Sequence, residues 1–314
     1  MIIAFTSGGQ MGNQLMYAAN MMASSLQCNI PYKNISFKAI DSFEINDVEQ
    51  RKSLCYRKGL QLALTKYMYG IKKMLRVCGE WAPGINVFLD KEDEAKAFFL
   101  NSHATGINLF HCWPYLDLES LYKQQNRVRD IIKPKEEYLE IGKCRISEIR
   151  RMNKDVTIVG VHVRRNDYKD FLGGFYYFDL DVYRKRMEEM SRIVDGNVLF
   201  LVFSDESIDK DLLSQKGAHY RILFSKNPAM VDLVMMGMCD YIIGPPSTFS
   251  GWASFWGNVP KHIMLNENTG IKSLESDFGV YMIDLMDNET DDAGRKRLSF
   301  YRKGKKVTLP DTMA

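Results

Sequence analysis

Short, wholly apolar runs alternate with stretches of helical period along most of this chain, and that alternation constrains the fold more than any other feature. A strand buried on both faces reads as an unbroken apolar run, and the helices between such strands cover those faces. The pattern therefore predicts parallel sheets in an α/β protein. The first series starts with a strand at Ile2–Thr6, turns through the glycine-rich Ser7–Gln14, and enters a helix over Asn13–Leu26. Residues 44–78 are expected to be helical, Gly84–Leu89 and Ile107–Cys112 to be strands, and Leu118–Ile132 to be a helix stopped near Pro134. A second series begins near residue 155. It has strands at Val156–Val163, Asn197–Phe203, Tyr220–Phe224, Tyr241–Ile243 and Lys261–Leu265, with helices at Asp181–Ile193, Ala229–Met238 and Phe249–Trp256. Two series in 314 residues predict two Rossmann-like domains, residues 1–150 and 151–314, with a cleft between them. The basic tail Arg295–Lys306 is expected to be peripheral.

The strand Val156–Val163 runs into His162-Val163-Arg164-Arg165-Asn166-Asp167. In doubly wound sheets ligands sit beyond the carboxyl ends of strands, and this cluster occupies that position. Two adjacent guanidiniums suit phosphate oxygens, and the Asp offers an orienting partner or a base. A salt bridge to Asp167 accounts for one Arg but not for both together with the His. The loop with Gly8, Gly9 and Gly12 fits neither GxGxxG nor a P-loop, yet it leads to a helix N-terminus able to meet a phosphate. Pro245-Pro246-Ser247-Thr248-Phe249-Ser250 is a second strand-to-helix turn whose hydroxyls suit capping, phosphate binding, or both. Asp232 interrupts an apolar helix, and a carboxylate there suits a guanine edge or simply an exposed face. Asp205 and Glu206 end a strand and are candidate site residues. Trp252 and Trp256 are expected to pack, and His103, His111, His219 and His262 show no metal-ligand spacing.

Composition narrows the classes. A net charge of +3 is too small to imply nucleic acid, and the six Cys form no CxxC pair, which argues against zinc and redox motifs. Scattered Cys beside 18 Met fit a reducing compartment. No run approaches the roughly 18 apolar residues of a membrane span. A cytoplasmic protein is expected, at most peripheral at the inner membrane face.

Taken together, these residues resemble the alpha-1,2-fucosyltransferases, within the wider group of alpha-1,2, alpha-1,6 and protein O-fucosyltransferases. His162–Asp167 is similar to that family's HxRRxD, and Gly8–Gln14 to its GGLGNQ. Asp232, Asp240–Ile243 and Ser247–Trp252 follow its helix Asp, its C-H/D-x-I-I strand and its SSFSWW. Phe203-Ser204-Asp205-Glu206 is similar to FSDD, which puts Ser204 and Asp205 on the donor side, and His111–Leu116 is similar to GYWQS. Three departures stand out: a longer glycine loop, Gly251 for a Trp, and Asn166 where Gly is common.

The resemblance implies a GT-B-like fold, GDP-fucose as donor, inversion at the anomeric carbon, no required metal or other cofactor, and a galactose-containing acceptor glycan such as an O-antigen, capsule or oligosaccharide. Carried over by position, Arg165 or Arg164 holds the β-phosphate, and His162 and Asp232 hold the guanosine end. Ser247, Thr248, Phe249 and Ser250 surround the pyrophosphate in residues 151–314, the expected GDP-fucose-binding domain, while Gly9, Gly12 and Asn13 close over the donor from residues 1–150, the expected acceptor side. A guanidinium placed where charge grows on the β-phosphate does the work a metal ion does elsewhere. Asp167 and Asp170 are the nearest carboxylates in sequence for the acceptor proton, with Asp167 equally suited to bracing an Arg. A transferase of another linkage or donor is the nearest alternative. A non-catalytic nucleotide or RNA binder is disfavoured, because the basic tail carries only Phe300 and Tyr301 as aromatics and the arginines end a strand.

Overall fold

The apolar runs of both series form parallel sheets in the computed structural model, which describes residues 1–4, 10–45, 106–111, 115, 117–213, 219–268 and 270–272. Shorter pieces are described at 54–55, 57–60, 85–89, 283–284, 299–302 and 305–308, with single positions at 63, 67, 70 and 274. The chain divides into two units, Met1–Lys135 and Glu136–Ala314.

In the first unit, β1 (Ile2–Ala4) pairs in parallel with β2 (Tyr32–Asn34) and β5 (Ile107–His111), and β4 (Ile85–Leu89) lies outside β5. Helix α1 (Met11–Cys28) links β1 to β2. It is buried almost all round, from Gln14 through Ser25, because nearly every side chain there is apolar or small. It ends at Asn29, which takes the left-handed conformation with φ 54°. Helix α2 (Leu118–Ile131) starts at Asp117, whose carboxylate accepts the Ser120 N–H at 3.0 Å and the Ser24 hydroxyl of α1 at 2.7 Å. The helix expected over 44–78 is corrected at its start. Phe43–Ile45 is a strand, β3, antiparallel to β6 (Ile132–Pro134), with Phe43 and Ile45 buried on either side of exposed Glu44. Most of 46–84 lies outside the described residues.

The second unit opens with α3 (Glu136–Met152), a helix absent from the sequence expectation. Only Leu139, Gly142 and Ile146 of it are buried, so its apolar stripe is a thin line among charges. A Cβ on Gly142 would come within 2.4 Å of Val234 in α6 (Ala229–Met236), so these helices pack at a separation that only glycine permits. The sheet of this unit runs β11 (Lys261–Ile263), β10 (Tyr241–Gly244), β7 (Val156–Val163), β8 (Asn197–Ser204), β9 (Tyr220–Phe224), and every pairing is parallel. Val159, Val161, Val163, Phe200 and Val202 form one core with Tyr183, Met187 and Met190 of α4 (Leu180–Ile193). A short α5 (Lys210–Leu213) follows β8, and α7 (Thr248–Gly257) links β10 to β11. Asp240 ties the lower edge of the sheet together, accepting from Arg150 of α3 at 2.9 Å and from the Ile158 N–H of β7 at 2.8 Å. The basic tail contributes to strands as well: β13 (Ser299–Arg302) and β14 (Lys305–Thr308) form an antiparallel sheet with the preceding β12 (Ile283–Asp284).

The connectivity of this second sheet fixes where a ligand can bind. The chain enters at β7 in the middle, runs outward to β8 and β9, then returns to the other edge of β7 for β10 and β11. The loops leaving β7 and β10 therefore diverge, and a crevice opens between their carboxyl ends.

Candidate active site

His162, the two arginines and the Ser247 turn all lie at that divergence of β7 and β10. Gly244 ends β10, and a Cβ there would sit 2.9 Å from the His162 carbonyl, so glycine lets the two strand ends close up. The His162 ring is buried, 5.5 Å from the Phe249 ring, and its Nδ1 has no hydrogen-bond partner. Burial first, then the charges of Lys261 and Arg164, hold its pKa well below the ordinary value, so the imidazole is neutral.

The turn after β10 is held from beneath. Tyr168 donates its hydroxyl to the Pro246 carbonyl. Lys261, fully buried at the head of β11, donates to the Pro245 carbonyl at 3.1 Å and to the Ser250 hydroxyl at 2.8 Å. Burial pushes the Lys261 pKa down to about 7. Ser247 caps α7 by accepting the Phe249 N–H at 3.3 Å. A helix start offers orphan N–H groups and the positive end of the dipole, so this turn is built to meet an anion.

The arginines divide. Arg164 bonds Asp167 at 2.7 Å, pairs with Asp205 at 3.3 Å, and lies 5.8 Å from the Tyr168 ring centroid. Arg165 pairs with Glu206 at 3.1 Å, donates to the Tyr177 hydroxyl and stacks 4.7 Å over that ring. Asp205 also accepts the backbone N–H groups of Arg165 at 3.2 Å and Asn166 at 3.5 Å, and Ser204 accepts the Glu206 N–H at 3.2 Å. The β8 end thus braces the loop after β7, and in this structure Ser204 and Asp205 serve that bracing. Arg164 is the guanidinium near both Tyr168 and His162, close enough for its charge to act on that imidazole.

Asp232 in α6 is buried and accepts from Ser225, which in turn accepts from the Asn227 side chain at 2.9 Å. Burial raises its pKa to about 6, against the pull of the Ser225 and Asn227 hydrogen bonds. Ser225 directly follows β9, so this carboxylate belongs to the same edge of the sheet. Asp170 is exposed, between the 3-10 turns Asp167–Lys169 and Phe171–Gly174. Gly12 and Asn13 occupy the first turn of α1 in the other unit, and Gly9 lies outside the described residues. Thr248 opens α7, and Trp252 is fully buried against Phe255.

Sequence reasoning missed Lys261, Tyr168, Tyr177 and Ser225. Lys261 left a trace, a cation that with His262 precedes the apolar Ile263–Leu265. Among the described residues no group of three or more His, Cys, Asp or Glu is placed to hold a metal ion, and no helix is long and apolar enough to cross a membrane.

Comparison with known proteins places this geometry. No curated protein sequence matches the chain. Among solved structures, a mutant FUT1 of Arabidopsis thaliana in complex with GDP is 11% identical, with TM-score 0.53, covering 90% of this chain and 74% of that one. The fucosyltransferase NodZ from Bradyrhizobium is 14% identical, with TM-score 0.51, covering 96% of this chain and 98% of its own. NodZ alpha-1,6-fucosyltransferase soaked with GDP-fucose gives 15% identity, TM-score 0.50 and the same coverage. At such identities the likeness is one of fold, an α/β fold shared with fucosyltransferases. A family model covers residues 92–273, more than half of the chain and all of the β7–β10 site, and on that match the chain belongs to glycosyl transferase family 11.

Proposed function

We propose that the protein is a fucosyltransferase that moves fucose from GDP-fucose, with inversion, to the 2-hydroxyl of a terminal galactose in a glycan. The observation that supports this reading is Tyr168, which lies 5.8 Å from the Arg164 guanidinium and bonds the Pro246 carbonyl, and so links that arginine to the turn before Ser247. A pyrophosphate laid across that crevice has a helix start on one side and a guanidinium on the other. As the fucose–oxygen bond breaks, charge grows on the β-phosphate, and a guanidinium held in advance stabilises it without reorganising. Asp232 and His162 take the guanosine end, and Thr248, Phe249 and Ser250 surround the phosphates. With Asp167 engaged by Arg164, Asp170 is left to receive the acceptor proton. Gly9, Gly12 and Asn13 are further donor contacts in this reading. The guanidinium takes the place of a metal ion, so no cofactor is required. The work belongs to cell-surface glycan synthesis on the cytoplasmic side, without nucleic acid and with at most peripheral membrane contact.

The test is GDP release from GDP-fucose with lactose or N-acetyllactosamine, in EDTA. Turnover in EDTA, with α1,2-linked product by NMR, is expected. Activity lost in EDTA and restored by a divalent ion, another linkage, or binding of RNA in place of GDP would overturn the corresponding part.

A further inference from the structure

The connection between β7 and α4 carries more aromatic surface than a loop needs. It holds Tyr168, Phe171, Phe175, Tyr176, Tyr177 and Phe178. Tyr168, Tyr176 and Phe178 are buried, and Tyr177 lies under Arg165. Phe171 and Phe175 instead stay 40% and 50% exposed. Neither is a loose surface side chain. Phe171 stacks on buried Tyr168 with centroids 5.3 Å apart and planes at 25°, and Phe175 meets buried Tyr176 edge-on at 4.9 Å and 88°. Gly173 and Gly174 between them both have positive φ, 67° and 80°, and a Cβ on Gly174 would lie 3.1 Å from the Lys169 carbonyl. The turn that separates the two phenyl groups is therefore specified by its glycines.

The place and the company of these rings name their ligand. Tyr168, which backs Phe171, also lies near Arg164 and bonds the Pro246 carbonyl, so this surface is continuous with the donor site. Asp170 sits immediately before Phe171 with its carboxylate exposed. An exposed aromatic face beside a carboxylate matches a pyranose, whose C–H face lies on a ring while its hydroxyls donate to the acid.

We propose that Phe171 and Phe175 form the acceptor platform, each ring taking the C–H face of a hexopyranose of the acceptor glycan. This rests on the transferase reading above and adds to it the side from which the acceptor enters. On the platform, the acceptor oxygen bonds to the fucose anomeric carbon as the bond from that carbon to the β-phosphate oxygen breaks. GDP leaves with the electron pair, and the hydroxyl proton passes to Asp170.

The experiment compares Phe175→Ala, Phe171→Ala and the double variant with the parent, using N-acetyllactosamine as acceptor probe and calorimetry for GDP. Each single change is expected to raise the acceptor KM about tenfold, the double about 50-fold or more, with the Kd for GDP within about twofold. Phe175→Trp restores the acceptor KM, which a merely structural role would not predict. A double variant with intact circular dichroism, unchanged GDP affinity and the parent's acceptor KM overturns the platform. Failure of the donor reading looks different, because the parent itself would then bind no GDP.

Discussion

The two strand ends that flank β7 are opposites. The β8 end is acidic: Asp205 and Glu206 take the two guanidiniums and the backbone of the loop between them. The β10 end has no carboxylate. It offers a capped helix start, hydroxyls, and beneath them the buried cation Lys261. The difference teaches a division of labour. An arginine that must stabilise charge in a transition state has to be held still beforehand, and the holding groups must be on the side away from the ligand. Here counter-charge stands on one side of β7, and the capped helix start of α7 is on the other.

The comparison breaks most readily at the arginines. Arg164→Ala is expected to lower kcat about 100- to 1,000-fold with the fold retained, since one preorganised donor to developing charge is typically worth that much. Arg165→Ala is expected to cost nearer tenfold, because side-chain alternation puts it on the side opposite His162, stacked over Tyr177. Steady-state rates with circular dichroism on both variants decide it. The reverse order of effects would move the phosphate contact to Arg165 and remove the asymmetry.

A smaller effect follows from pH. Asp232, raised to about 6 by burial, must be ionised to accept from a guanine edge, so GDP affinity should rise as pH climbs through 6. Lys261, depressed to about 7, loses its charge above that, so affinity should fall again on the alkaline side. A bell-shaped Kd profile is expected, its acid limb flattened in Asp232→Asn and its alkaline limb flattened in Lys261→Met. Stability should move differently. The raised Asp232 favours the folded protein only at low pH, and that contribution is lost as pH rises through about 6. The depressed Lys261 costs stability below about 7, and that cost lifts as pH rises toward the ordinary lysine range. Thermal melts of parent and Lys261→Met between pH 7 and 10 check it, since only the parent should gain stability over that range.

How much of this was legible depended on the kind of signal. Val156–Val163 was readable to the residue, because its run is apolar but for Thr157 and His162 and buried from Ile158 onward. Tyr220–Phe224 was equally readable although it is an edge strand that exposes Arg221. Helix α3 was not, since three buried residues among charges leave too narrow a stripe, and its packing depends on Gly142, whose role appears only against Val234. At the site the strand-end motif announced itself, but its partners did not. Tyr168 and Pro246 are 78 positions apart, and nothing local in either says that they touch. Lys261 was visible as an oddity, a cation heading a short strand ahead of the apolar Ile263–Leu265, and its meaning came only from the carbonyl and hydroxyl it bonds.

The smallest expected effect sharpens the acidic side. Asp205 is 18% exposed at its side chain and holds Arg164 as well as two backbone N–H groups, while Asp167 is 47% exposed at its side chain and pairs with Arg164. Exposed ion pairs are worth about 0.2–1 kcal/mol, so Asp167→Asn should cost only about two- to fivefold in kcat. Asp205→Asn keeps the shape but weakens charge-assisted bonds to a half-enclosed loop, and about tenfold is expected. The kcat pH profile adds a second reading. A general base imposes an acid limb that disappears with it, whereas a brace shifts the rate without moving the limb. If Asp167→Asn abolished turnover and its acid limb together, Asp167 would be the base, and the acidic side would take part in the chemistry as well as hold the arginines in place.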